Sequence, residues 1–316
     1  MSVELHMRPD IPPMSGEEFR AMAGPFAIAI DGFVKEGPWF DPEGPSKNFN
    51  HHEGVARLET RATCGQVLIS VRQGFYKRFR DQNGPRADVY ANDCDEDVCL
   101  SWFLLKNHSI TAQTMNPMLN RLVHMVDLMD TTAGAYPFPE DLQSLHGLAW
   151  VFEPYRRFRF SGGLASRDPS AFRSIVTDVE HRIMAYISGQ GREIPLDTRY
   201  EMWSSEVGWS HVKEIGTQAR IGMFSDGVRA FVSSTPYGTD GRWMHIIGRM
   251  SEYIDFPVIK LLEAMNEAEG LTGADRWGGG DTIGGAPRIA GSTLSPPEVA
   301  AIVRSVLGRS ESPRVG

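Results

Sequence analysis

The chain has 316 residues, of which 41% are hydrophobic and 23% charged, a globular composition long enough for two domains and a full core without disulfides. Its formal net charge of −8 argues against a broad basic face for duplex nucleic acid. No run of about 18 uncharged apolar residues occurs, and the opening MSVELHMRPDIPPMSGEEF lacks the apolar centre of a signal peptide, so neither a membrane span nor a leader is expected and a cytoplasmic location follows.

Taken in order, the first predicted element is a helix over 16–23, started by Ser15 with Glu17 and Glu18 in its first turn. Phe26 to Val34, FAIAIDGFV, is a short apolar run interrupted by an acid and reads as a buried parallel strand. Residues 37–47, rich in Gly, Pro, Ser and Asp, read as a loop. Thr63 to Gln73 reads as a helix with Val67, Leu68 and Val71 on one face, and Ala87 to Ala91 as a short strand. VCLSWFLLKN is long enough for three helical turns, and 116–129 gives a further helix ending at Asp130. In PYRRFRF, Arg156, Arg157 and Arg159 alternate with Tyr155, Phe158 and Phe160; an edge strand or solvated face is one reading, an anion-binding surface the other. Residues 169–188 are the clearest helix, with Phe172, Ile175, Val176, Val179 and Ile183 at helical spacing.

After Gly189-Gln190-Gly191 the texture changes. HVKEIGTQARIGMF, VRAFVSS and MHIIGRM read as strands of a second sheet, with turns at Ser225-Asp226-Gly227 and Gly238-Thr239-Asp240-Gly241. A helix over 257–269, a Gly-rich stretch from Trp277 to Gly291 and a helix begun by Pro296-Pro297-Glu298 complete the chain. The expected fold is α/β: a mainly parallel sheet with flanking helices over 1–192, a smaller mixed-sheet α/β domain over 193–308, and a disordered tail at 309–316.

The chemistry concentrates in the first domain. Asp31 follows one strand, His51 and His52 the next extended segment, and Asp95 and Asp97 the strand after that, while Asp130 sits in a fourth turn. Open α/β sheets bind ligands at the carboxyl ends of their strands. Clustered carboxylates repel one another unless a cation offsets them, and oxygen donors with one imidazole suit Mn2+ or Mg2+ better than zinc. The bland alternative for DCDED is a solvated loop whose acids favour the following helix N-terminus. Cys64, Cys94 and Cys99 have neither the number nor the spacing of a disulfide framework or zinc ribbon, and the acids around Cys94 should suppress its thiolate. His124, His146, His211 and His245 show no implicating spacing and read as surface or satisfied core residues.

Asn50-His51-His52-Glu53, with Thr63-Cys64 opening the next helix, resembles the Asp-His-His motif of the DHH phosphoesterase superfamily. NDCDEDVCLS, residues 92–101, resembles that superfamily's Asn-Pro-Asp-x-Asp turn; Asp31 resembles its lone strand-end Asp and Asp130 its late Asp-Thr motif. Gly248-Arg249-Met250-Ser251 and the stretch from Gly284 to Gly291 resemble motifs of the associated C-terminal substrate-binding domain. Here the Asp-x-Asp turn follows the His-His pair instead of preceding it, and Asn50, Ala91 and Ala286 stand where the family has Asp, His and His.

The resemblance implies a metal-dependent hydrolase of phosphoesters or phosphoanhydrides, with its site in a cleft between two domains. Asp31, His51, Asp95, Asp97 and Asp130 would hold Mn2+ or Mg2+, and His52, Asp31 and Asp95 would carry the chemistry. Arg249, Ser251, Gly284, Gly285 and Arg288 would bind a small anionic substrate, a nucleotide or short oligonucleotide among the candidates. A ligand-binding or regulatory protein that lost the chemistry, and a non-phosphate metallohydrolase, stand as alternatives. The Trp-rich WSSEVGW segment is compatible with a homodimer or a domain interface.

Overall fold

The computed structural model describes residues 2–139 and 142–308, so the expected tail at 309–316 lies outside the described residues. The chain is mixed α/β with two sheets. It divides into two units, one of Met1–Thr131 with Leu142–Pro195 and the other of Thr132–Asp141 with Leu196–Gly316. The chain passes between the units three times, and the sequence boundary near 192 falls beside the third passage, from Pro195 to Leu196; the assignment of Thr132–Asp141 to the second unit has no signal in composition.

The first unit is built on strands β1 (Ser2–Met7), β2 (Ala27–Ile30), β3 (Trp39–Asp41), β4 (Ser46–Phe49), β5 (Arg80–Asp81) and β6 (Gly84–Ala91). The order β1-β6-β2-β4-β3 is parallel except for β3, and β5 folds back on the start of β6. Its helices are α1 (Gly16–Ala23), α2 (Thr63–Arg72), α3 (Glu96–Lys106), α4 (His108–Ala112), α5 (Pro117–Thr131), α6 (Gln143–Val151), α7 (Glu153–Phe160) and α8 (Pro169–Ile187). Ser15 and Glu18 close a reciprocal cap on α1, so this helix starts where the sequence placed it. All four β2 residues are buried, as a strand covered on both faces requires. From Val98 to Leu105 every side chain of α3 is buried, which explains its apolar run without a polar face.

Three local readings are corrected. The loop expected over 37–47 contains β3 and the start of β4, because Trp39–Asp41 pair with Ser46–Asn48. PYRRFRF belongs to helix α7, not an edge strand: Pro154 sits in its first turn and Glu153 pairs with Arg157 at i,i+4. Arg156 is neutralised by Glu96 at 2.7 Å. The third correction falls in the second unit, where residues 219–225 of the presumed strand HVKEIGTQARIGMF form a helix.

That second unit has strands β7 (Tyr200–Glu206), β8 (Trp209–Glu214), β9 (Ala230–Tyr237), β10 (Arg242–Arg249), β11 (Gly278–Gly279) and β12 (Ile283–Gly285), ordered β11-β12-β10-β9-β8-β7. Only β8 and β9 are parallel, and helix α9 (Ala219–Ser225) makes the crossover that a parallel pair needs. One core packs Trp209, Val232 and Ile247 with α10 (Val258–Glu269) and α11 (Pro296–Val306); another packs Val212 and Phe231 with Met223 and Phe224 of α9. Among the described residues no helix is long and apolar enough to cross a membrane.

Candidate metal centre

β6, β2 and β4 are adjacent and parallel, so their carboxyl ends fall along one edge of the first sheet. Each end delivers a polar residue. β2 runs into Asp31, which has a left-handed backbone (φ 52°) and is followed by Gly32 (φ 79°). An acidic residue tolerates that conformation better than a branched one, and the reversal stops the strand there. β4 runs through Asn50 into His51. The Asn50 amide donates to Val34 O (3.1 Å), Glu36 O (2.9 Å) and Glu53 Oε2 (3.0 Å), while its oxygen accepts from His52 N (3.0 Å). An aspartate has no N–H for these bonds, so Asn50 organises the turn as a donor. β6 leads to α3, whose cap is Asp95 (accepting from Val98 N at 2.9 Å) and whose first turn carries Asp97. Asp130 comes from the last turn of α5.

Asp31, His51, Asp97 and Asp130 each bring one donor atom to within 4.8 Å of the others. His51 Nε2 is the centre: Asp130 Oδ2 lies 2.7 Å away, Asp31 Oδ1 3.4 Å and Asp97 Oδ2 3.7 Å. His51 is wholly buried. Despite the short contact, neither His51 Nε2 nor Asp130 Oδ2 makes a hydrogen bond, and His51 Nδ1 has no partner either. Buried polar atoms left unsatisfied are rare and costly. Three carboxylates and an imidazole converge on one buried point, and these four residues could hold a metal ion. Asp31, His51 and His52 form an overlapping group that shares two of the same residues. Glu4, His6 and Asp88 also cluster, but there His6 is already hydrogen-bonded to Asp88 at 3.0 Å and Glu4 is exposed.

Asp95 is outside the four-donor group. Asp97 is in it but also has a second task, accepting from Thr63 N and Cys64 N, both at 2.7 Å. Asp127, one turn before Asp130 on α5, accepts from Ala62 N (2.7 Å) and from Arg61 Nη1 (2.7 Å). Helix α2 has no side-chain cap of its own, and two carboxylates from other helices take its first N–H groups instead. Thr63 Oγ1 donates to Asp31 Oδ1 at 3.0 Å, and His52 Nε2 is also 3.0 Å from that oxygen.

Sequence reasoning did not single out Thr63 as a contact of Asp31, Asp127, or Arg57. Arg57 donates to Asp130 O (2.8 Å) and Asp130 Oδ1 (3.2 Å), and its Nη1 is 3.2 Å from His52 Nδ1. The only local signal for Asp127 is its i,i+3 spacing to Asp130; Arg57 has none.

The electrostatics are those of a crowded acid cluster. Burial alone would lower the His51 pKa, but contact with Asp130 and then Asp31 raises it to about 10. Burial is likewise opposed at His52 by Asp31, and the net shift is upward. Burial would raise Asp31; His52 and His51 reverse this and hold it well below the carboxylate range. Burial, then Asp31 and Asp130, push Asp97 up to about 8. Burial raises the Cys94 thiol far above neutral, with Asp93 and Asp95 adding to it, which suppresses the thiolate.

In the second unit, the guanidinium of Arg249 is engaged by Asp281 O (2.9 Å), Glu252 O (3.2 Å) and Ile254 O (3.0 Å), which ties down the turn carrying half-buried Ser251. Gly284 and Gly285 lie in β12 against β10. A Cβ on Gly284 would stand 2.9 Å from Gly278 O, and one on Gly285 2.9 Å from His245 O, so close strand pairing already requires glycine at both. Arg288 is exposed. His211 and His245 are buried and linked through Ser234 Oγ, at 2.7 Å from each.

Comparison of the chain with family models, with curated proteins and with solved structures finds no match.

Proposed function

We propose that this protein is a divalent-metal-dependent hydrolase acting on a phosphoester or phosphoanhydride in a small anionic substrate, with Mn2+ or Mg2+ held by Asp31, His51, Asp97 and Asp130. The observation that carries the metal reading is the pair His51 Nε2 and Asp130 Oδ2, buried and 2.7 Å apart with no hydrogen bond. The phosphoester class rests on the resemblance of the His-His and Asp-x-Asp segments. A divalent ion in such a site supplies Lewis acidity to a phosphoryl oxygen and makes water more acidic.

The chain's own residues divide the remaining work. Asp31 is fixed by Thr63 and His52, Asp97 by the α2 backbone, and Asp130 by Arg57, so the donors are held before the ion arrives. His52, whose side chain is 31% exposed, holds the buried Asp31 carboxylate in place through Nε2 at 3.0 Å. The test is turnover of a panel of mononucleotides, cyclic dinucleotides, short oligonucleotides and pyrophosphate against carboxylic esters, with Mn2+ or Mg2+, for the natural chain and His51→Ala. Phosphate release that needs both metal and His51 supports the proposal. Metal uptake without turnover of any substrate would leave a ligand-binding protein, and metal-dependent cleavage of carboxylic esters alone would make it a different metallohydrolase.

A further inference from the structure

Arg57 reaches two residues beside His51, Asp130 and His52, through different nitrogens. Nη2 donates to both the main-chain oxygen and Oδ1 of Asp130, at 2.8 Å and 3.2 Å. Nη1 stands 3.2 Å from Nδ1 of His52. A guanidinium has five donors and no acceptor, so the second contact is a hydrogen bond only when His52 Nδ1 is bare. The His52 proton then sits on Nε2, which faces Asp31 Oδ1 at 3.0 Å and donates to it. On Asp130 the consequence is rotational: with Oδ1 held by Arg57, Oδ2 is the oxygen turned to His51.

We infer that Arg57 is the positioning residue of the metal centre, aiming Asp130 Oδ2 into the donor cluster and fixing His52 as the Nε2–H tautomer that orients Asp31. The inference rests on the metal-centre reading above. It assigns His52 a role different from that of a metal ligand: its Nε2 carries a proton and points at a carboxylate, so it acts on the ion through Asp31. It also accounts for an arginine at this place rather than a lysine. One planar fork spans the α5 terminus and the loop after β4, which a single ammonium does not.

The experiment compares the full chain with Arg57→Met and Arg57→Lys, each checked for folding by circular dichroism. Long-range proton–nitrogen NMR of the His52 ring, at one pH high enough for the ring to be neutral and with and without Mg2+, reads the tautomer; calorimetry reads Mn2+ affinity. The natural chain should show His52 with bare Nδ1 and protonated Nε2. In Arg57→Met, the neutral ring should no longer be held to the one tautomer and should show protonated Nδ1 as well, and Mn2+ affinity should fall by roughly 10–100-fold, the usual range for losing an outer partner. Arg57→Lys, which retains the charge without the fork, should recover only part of the affinity. An unchanged His52 ring in Arg57→Met, or Mn2+ affinity equal to that of the natural chain in a folded Arg57→Met, overturns the inference. A natural chain that takes up no Mn2+ or Mg2+ overturns the metal centre itself, an outcome visible separately from the ring nitrogens.

Discussion

His51 Nε2 and Asp130 Oδ2 are 2.7 Å apart in a buried site and do not hydrogen-bond. Two buried polar atoms turned to the same point, with Asp31 and Asp97 oxygens beside them, describe a cluster whose stability depends on a positive charge. That charge is either the His51 proton or a cation, and the two compete.

Metal should therefore stabilise the fold. A ligand that binds only the folded state adds about 2.7 kcal/mol at 100 times its Kd. The melting temperature should rise with added Mn2+ or Mg2+ and fall back with chelator. Asp130→Asn keeps the shape and removes the charge; its metal affinity should drop at least as far as the roughly 10–100-fold typical of an outer partner. A melting curve indifferent to both ions, in the natural chain, would count against the centre.

Metal uptake should also release a proton. His51 in the metal-free site is raised to about 10, above its ordinary 6.5. Its contribution to stability is then fully present below 6.5 and is lost as pH rises through 10. At pH 8 the ring is still charged, and a coordinating imidazole must be neutral, so binding should release on the order of one proton. Calorimetry in buffers of different ionisation enthalpy measures this; His51→Ala should abolish most of it.

The second unit should respond to pH with the opposite sign. Burial, then His245 and Arg304, depress the His211 pKa to about 4. The chain of bonds has a fixed direction: His245 Nε2 meets Leu294 O at 2.9 Å and must donate, so its Nδ1 accepts from Ser234, and Ser234 accepts from His211. Stability from this neutral chain is present above 6.5 and is lost as pH falls toward 4, by up to about 3 kcal/mol. Ser234→Ala leaves two buried ring nitrogens unpaired and should cost about 1–3 kcal/mol. Denaturant unfolding between pH 7 and 4.5, followed by tryptophan fluorescence, checks both.

Gly65→Ala should loosen the α2 entry. A Cβ there would stand 2.9 Å from Asp127 Cγ and Oδ1, the oxygen that accepts from Ala62 N. Crowding of this kind costs about 1–3 kcal/mol. Because α2 also presents Thr63 to Asp31, Mn2+ affinity should weaken together with the melting temperature. A variant as stable as the natural chain would remove Asp127 from the account of this helix start.

Much of the architecture was legible because local physics fixes it. Ser15 and Glu18 cap α1, Pro169 opens α8, and the apolar spacing of Phe172, Val176, Val179 and Ile183 puts those residues in the core whatever lies opposite. Asp31, His51 and Asp97 were visible as polar residues at strand or helix boundaries, where a buried sheet ends and a site can begin. The failures were also physical. PYRRFRF alternates like a strand, yet Pro154, the Glu153–Arg157 pair and the Arg156–Glu96 contact make it a helix, and Glu96 is 60 residues away. Single-sequence periodicity carries no term for such a partner.

The sequence by itself determined which residues have chemistry to offer and that most of them follow parallel strands. Only the tertiary structure decided the strand order β6-β2-β4, which brings Asp97, Asp31 and His51 to one point, and the packing of α5, which adds Asp130. It also separated Asp95, the cap of α3, from Asp97, the donor, although the two are neighbours in one acidic run. Arg57 and Asp130 are 73 positions apart. Long-range pairs of this kind are chosen by how whole elements pack, and the composition around either residue contains no trace of the other.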